Sequence, residues 1–168
     1  MFNGNIQVYG KHANILKKYS KKSQAENSAS FLISDHRGEQ KEIVLFSTMM
    51  QCYLVACALG IASHKTSDIS GDRNDRANIF AEIVSKKRNE LIRLVQFMLL
   101  SEEDENINRK IKKAFSVKNN DDPEIEEMLQ KYALGGLEII DSYFSNCQTE
   151  EDVAHAIGDL NLDYSVED

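Results

Sequence analysis

The longest apolar run lies between Glu42 and Ser63, EIVLFSTMMQCYLVACALGIAS, and inside it Ser47, Thr48 and Gln51 are polar breaks. Its length approaches the roughly 20 residues that cross a bilayer. The polar breaks and the scarcity of basic anchors at its ends instead predict a helix at about 43–62, buried on nearly all sides by the rest of the protein. Gly60 marks the approach to its C-terminal end.

The other apolar positions recur at helical spacing. In KHANILKKYSKK, Ile15, Leu16 and Tyr19 share one face of a short helix, and lysines cover the rest. FLIS is too short to assign between a strand and the lead-in to a helix. SQAENSAS before it reads as a linker and DHRGE after it as a turn. RANIFAEIV repeats Ile79, Phe80, Ile83 and Val84, while ELIRLVQFMLLSEE repeats Leu91, Leu94, Val95, Met98 and Leu99. SKKRN between them leaves one long helix and two broken ones equally open. INRKIKKAF predicts a shorter amphipathic helix.

Two helix starts are explicit. Asp122-Pro123-Glu124 supplies a capping carboxylate, a proline where no backbone donor is needed, and a favourable charge for the positive helix end. Thr149-Glu150-Glu151-Asp152 opens a last helix in the manner of a capping box.

Within the helix that follows Pro123 stands YALGGLEIID. Glycine in a helix interior costs about 0.5–1 kcal/mol relative to alanine, so the adjacent pair Gly135-Gly136 needs a reason. Gly136 falls on the line of Met128, Leu129, Tyr132 and Ile140, where a missing side chain lets another backbone approach. The expected neighbour is the buried helix at 43–62. Gly135 lies off that line, and alanine is expected to be tolerated there unless the helix breaks. A role for Tyr132, Gly135 and Gly136 in contacting a partner is the functional alternative.

Charge divides the chain unevenly. Residues 1–41 hold seven Lys/Arg and three Asp/Glu; residues 42–119 hold twelve and ten; residues 120–168 hold one and fourteen. The division suggests a basic N-terminal arm at 1–41, a helical core at 42–160 and an acidic tail at 161–168. With a net charge of −7 the chain makes a poor free-standing DNA binder. Two basic clusters, Lys86-Lys87-Arg88 and Arg109-Lys110 with Lys112-Lys113, are the candidate nucleic-acid contacts. They would need to converge on one side to act together.

Candidate chemistry is sparse. His12, His36, His64 and His155 form no H-E-x-x-H pattern and have no cysteine at metal-ligand spacing. Asp68, Asp72 and Asp75 miss the glycine and glutamate offsets of a calcium loop. Gly135-Gly136 lacks the strand and Lys-Ser/Thr context of a phosphate loop. Cys52, Cys57 and Cys147 have no C-x-x-C spacing, and MFNGNIQVYGKH shows no leader pattern, so reduced thiols and a cytoplasmic location are expected. Neither a cofactor, a metal nor a catalytic residue is expected.

The order "ACALG" (56–60), "IFAEI" (79–83), "ELIRLVQFMLLSEED" (90–104) and "YALGGLEII" (132–140) resembles the small accessory proteins encoded beside bacterial Dnd systems, which exchange a DNA phosphate oxygen for sulfur. The resemblance covers about residues 42–140. It implies a non-catalytic subunit of an anti-phage defence complex, working through contacts with other proteins of its operon and with weak or indirect DNA contact. It transfers no catalytic residue. The basic start, the longer acidic end and a loop after Gly60 with fewer lysines depart from the pattern. They leave room for a sibling role, as a small subunit of an SMC-like ABC ATPase complex of the Lamassu kind or as a DNA-contacting adaptor. The expected fold is all-α, one domain of five or six helices around the helix at 43–62.

Overall fold

The computed structural model describes residues 1–21, 30–69, 74–102, 106–117 and 122–164. The linker read at 23–30 and the pivot at Gly71 fall largely or wholly outside them. Helices dominate. In chain order the elements are β1 (Ile6–Tyr9), α1 (Gly10–Tyr19), β2 (Leu32–Ser34), β3 (Gln40–Glu42), α2 (Met49–Ala62), β4 (Arg76–Ile79), α3 (Ala81–Lys86), α4 (Arg88–Ser101), α5 (Ile107–Ser116), α6 (Pro123–Phe144) and α7 (Glu150–Tyr164).

The purely all-α expectation is therefore corrected. Among the described residues there are seven helices and two small antiparallel pairs, β1 with β4 and β2 with β3. RANI, read as the start of a helix, is a strand, with Val8 opposite Ala77 and Ile6 opposite Ile79. The partner strand lies far away in sequence, so local periodicity could not announce it. Gly10 turns the chain from β1 into α1 at φ +59°, and its N–H donates to the Asp75 carbonyl at 2.9 Å.

The central helix is also shorter than its apolar run. Residues 43–48 are not helical, and α2 begins only at Met49, where the Thr48 hydroxyl accepts from the Gln51 N–H at 3.1 Å. Ile43, Leu45 and Phe46 pack on the core from an irregular segment instead. The two helix starts read from sequence are both present. Asp122 accepts from the Glu124 N–H at 3.1 Å. Thr149 accepts from the Asp152 N–H at 3.1 Å while the Asp152 carboxylate accepts from the Thr149 N–H at 2.9 Å, a reciprocal box.

The first twenty residues belong to the same core as the rest. Met1, Phe2, Val8, Ala13, Leu16 and Tyr19 are buried in one cluster with α2, α4 and α6. Further bonds hold them in place. The Phe2 N–H donates to Glu126 at 2.7 Å, the Tyr19 hydroxyl to Asp141 at 2.7 Å, and Arg88 Nε to the Met1 carbonyl at 3.2 Å. Of the basic residues in 1–41, Lys11, Lys17 and Lys18 are carried by α1.

The dominant seam joins α2 to α6. It is built from glycines. A Cβ on Gly136 would stand 2.5 Å from the Ala56 carbonyl carbon and 2.8 Å from the Ala56 Cα, so the two backbones touch directly. Gly60 faces the Tyr132 carbonyl carbon at 2.7 Å in the same hypothetical sense, and Gly135 faces the Lys65 carbonyl carbon at 2.6 Å. Each helix thus supplies glycine where the other presents main chain. Gly135, expected to tolerate a side chain, is as closely covered as its neighbour, because the segment leaving α2 crosses α6 there.

That exit is itself ordered. The His64 N–H donates to the Ile61 carbonyl at 3.1 Å and the Lys65 N–H to the Gly60 carbonyl at 2.9 Å, the paired bonds of a Schellman motif. His64 occupies the left-handed position, at φ +49°, that glycine usually fills. The chain then runs along α6, with the Ser67 N–H donating to the Lys131 carbonyl at 3.0 Å.

Candidate functional site

Two features could carry function: a polar knot around Glu138, and an open apolar groove on the other flank of α2. The knot follows directly from the glycine seam. Glu138 sits half a turn beyond Gly136 on α6 and points toward α1 and the segment after α2. Its Oε1 accepts from Lys11 Nζ at 2.8 Å, from Ser67 Oγ at 2.9 Å and from His12 Nε2 at 3.1 Å, while Lys65 Nζ lies 3.4 Å from Oε2. Burial alone would raise the carboxyl's pKa. The hydrogen bonds from Lys11, Ser67 and His12 outweigh it and take the group from 4.5 down to about 2.

His12 is almost fully buried, at 1% exposure. Burial lowers its pKa, and the hydrogen bond to Glu138 opposes that without reversing it. The neutral ring therefore donates from Nε2, and Nδ1 is left buried with no partner among the described residues. In the sequence His12 joins no H-E-x-x-H pattern and has no cysteine at metal-ligand spacing; its partner, Glu138, lies 126 residues away. The knot holds three elements together. Among the described residues it forms no cluster able to hold a metal ion, and the Ser67 hydroxyl donates to the Glu138 carboxylate.

The groove lies between α2 and α4. Leu54, Val55 and Ala58 form one wall, Leu94 and Phe97 the other, and Glu90 and Arg93 stand at the rim. It encloses about 470 Å³ and its lining is almost wholly apolar. Val55 is 38% and Phe97 49% exposed, large apolar side chains left open to solvent. This face of α2 escaped the sequence reading, which had the helix covered nearly all round.

The remaining candidates occupy varied settings. Gly135 and Gly136 are buried inside the chain's own seam, and Tyr132, half-buried, contributes its carbonyl to the same contact. In the first basic cluster Lys86 pairs with Glu82 at 2.9 Å, Lys87 with Glu90 at 2.8 Å, and Arg88 bonds the Met1 carbonyl. In the second, Lys113 lies 3.7 Å from Glu102, whereas Arg109, Lys110 and Lys112 make no ion pair among the described residues. Cys52 and Cys57 are fully buried, and burial pushes the Cys52 thiol up to about 12 and Cys57 higher still, which makes both poor nucleophiles. No helix among the described residues is long and apolar enough to cross a membrane.

Comparison with protein-family models, with curated proteins and with solved structures finds no match.

Proposed function

We propose that the chain is a non-catalytic subunit that works by holding another protein, and that the α2–α4 groove is where it does so. The observation that carries this reading is the groove itself. Exposed aromatic and aliphatic side chains form a continuous apolar trough with charged groups confined to its rim, the composition of a protein-binding surface.

Placement of this subunit in a prokaryotic anti-phage complex, of the phosphorothioation type or built on an SMC-like ATPase, rests on the order of sequence motifs between residues 42 and 140. Other proteins of the same operon are then its partners. A DNA-contacting adaptor is the second reading, favoured by Arg109, Lys110 and Lys112, which make no ion pair among the described residues. Only part of the seven-residue basic set would serve it, since Lys86, Lys87, Arg88 and Lys113 are engaged within the chain.

The test is co-expression of the chain with the products of its neighbouring genes. The expected result is a stoichiometric complex that Val55→Glu with Phe97→Glu abolishes while the variant keeps its helical circular dichroism and melting temperature. Nuclease or nucleotidase activity in the purified chain that tracks with point substitutions would overturn the reading. So would a complex indifferent to both groove changes.

A further inference from the structure

Helix α5 is the most sharply amphipathic in the molecule, yet its large apolar residues face solvent. Ile107, Ile111 and Phe115, spaced i, i+4 and i+8, run along one side and are 69%, 43% and 64% exposed. Ala114, on an adjacent line, is buried, and the helix is seated chiefly on α4. The stripe includes none of the residues that line the α2–α4 groove.

The charges are arranged about that stripe. Lys110 and Lys112 are the neighbours of its central residue, Ile111, so each lies about 100° round the helix from it, one on either side. Arg109 and Lys113 lie behind, and the helix carries no carboxylate. Lys113 stands 3.7 Å from Glu102, whereas Lys110 and Lys112 make no ion pair among the described residues. Cations at both shoulders of an apolar line fit a partner layered by depth, negative at its surface and hydrocarbon beneath. Nucleic acid fits poorly, because it draws cations to the centre of the contact and presents phosphates where this helix presents isoleucine and phenylalanine. An acidic protein groove would have to match separate positions on two walls. A lipid surface is the same on both sides of the helix, as the lysines are.

We propose that α5 lies in the plane of an anionic lipid surface. Ile107, Ile111 and Phe115 sink toward the acyl chains, and Lys110 and Lys112 reach the anionic headgroups from either shoulder. Three apolar side chains on a helix of ten residues bind weakly by themselves, so the attachment is reversible and depends on headgroup charge. The net charge of −7 opposes adsorption. Screening confines each charge to about 8 Å at physiological salt, so the lysines at the contact act ahead of carboxylates farther from it.

Flotation of the full chain with vesicles of phosphatidylserine and phosphatidylcholine, against vesicles of phosphatidylcholine alone, tests the proposal. The expected result is binding to the first and not to the second, weakening as salt is raised. Lys110→Glu with Lys112→Glu should weaken it about tenfold or more, and Ile111→Ser with Phe115→Ser should do the same, with melting temperatures read on the same samples. The chain has no tryptophan, which allows a probe that disrupts nothing. Phe115→Trp should shift its emission to the blue on the anionic vesicles, whereas Ser116→Trp, turned away from the stripe, should not. Failure to bind the anionic vesicles overturns the proposal, including the case in which the chain binds duplex DNA or an acidic polypeptide instead. Equal binding to both kinds of vesicle overturns it, as does binding that leaves the Phe115→Trp emission unmoved or is indifferent to the α5 changes.

Discussion

Helix α2 has two flanks that solve packing in opposite ways. Toward α6 it presents Ala56 and Gly60, and backbone meets backbone with no space for a methyl group. Toward α4 it presents Leu54, Val55 and Ala58, and the two helices stand apart around an open trough. Small residues on both sides let helices close until their main chains touch. Larger ones on one flank hold the neighbour off and leave their own surface uncovered. One helix is thus fixed on one side and available on the other.

The sharpest way to break this contrast is to add a methyl group to the closed flank. Gly136→Ala should lower stability by about 2 kcal/mol or more, although alanine is the better helix former by up to about 1 kcal/mol. The atoms it meets belong to the Ala56 backbone, which cannot swing aside as a side chain would. Gly60→Ala and Gly135→Ala should also destabilise, each facing main chain in the same way. Thermal melts check all three. A neutral result at Gly136 would show that the seam can open without loss.

The next effect concerns the fastening beyond the seam. The folded Glu138 pKa, about 2, lies below its ordinary value of 4.5, so its contribution is complete above the ordinary value and is lost as pH falls toward the folded one. His12 acts in the same direction. Its folded pKa is lowered, so the unfolded chain takes up a proton first and stability begins to decline below about pH 6.5. Denaturant melts between pH 7 and pH 3 should show that decline. Glu138→Gln should cost on the order of 1–3 kcal/mol at neutral pH and flatten the acid limb. A limb unchanged in the variant would place the acid sensitivity elsewhere.

A smaller gain is expected where the closed flank ends. His64→Gly should stabilise by roughly 0.5–1 kcal/mol, because glycine takes the left-handed position of the Schellman turn without a Cβ penalty. A fall in melting temperature would show that the exposed imidazole has a role the turn does not explain. The smallest effect belongs to the open flank. Phe97→Ser should change stability by no more than about 0.5–1 kcal/mol, since the ring is about half exposed. A large loss there would erase the contrast between the flanks.

Much of the fold is legible where the signal is local. Asp122-Pro123 and Thr149-x-x-Asp152 announce their helices through side chains that cap backbone groups a few residues away. Gly136 is legible as a close-contact position because helical spacing alone puts it on the line of Tyr132 and Ile140. Gly135 was missed because its neighbour is the exit loop after α2, not the helix. The strand at Arg76–Ile79 was missed because its hydrogen bonds go to Ile6–Tyr9, and IFAEIV mimics helical spacing across a strand end and a helix start. The early end of helix at Thr48 has a local cause, a capping hydroxyl, hidden by the apolar run around it. The His12–Glu138 knot depends on contacts across 126 residues, and a lone histidine gives no sign of them.

The glycine seam also has a consequence in time. α2 leaves the ribosome long before the helix whose backbone it must touch: about 80 residues separate Ala62 from Phe144, and at about 5–20 residues per second their synthesis takes about 4–16 s. Throughout that interval the most apolar helix of the chain lacks its closest neighbour. Nascent chains stalled before Pro123 should therefore be held by chaperones, and those stalled after the last turn of α6 has emerged should be released.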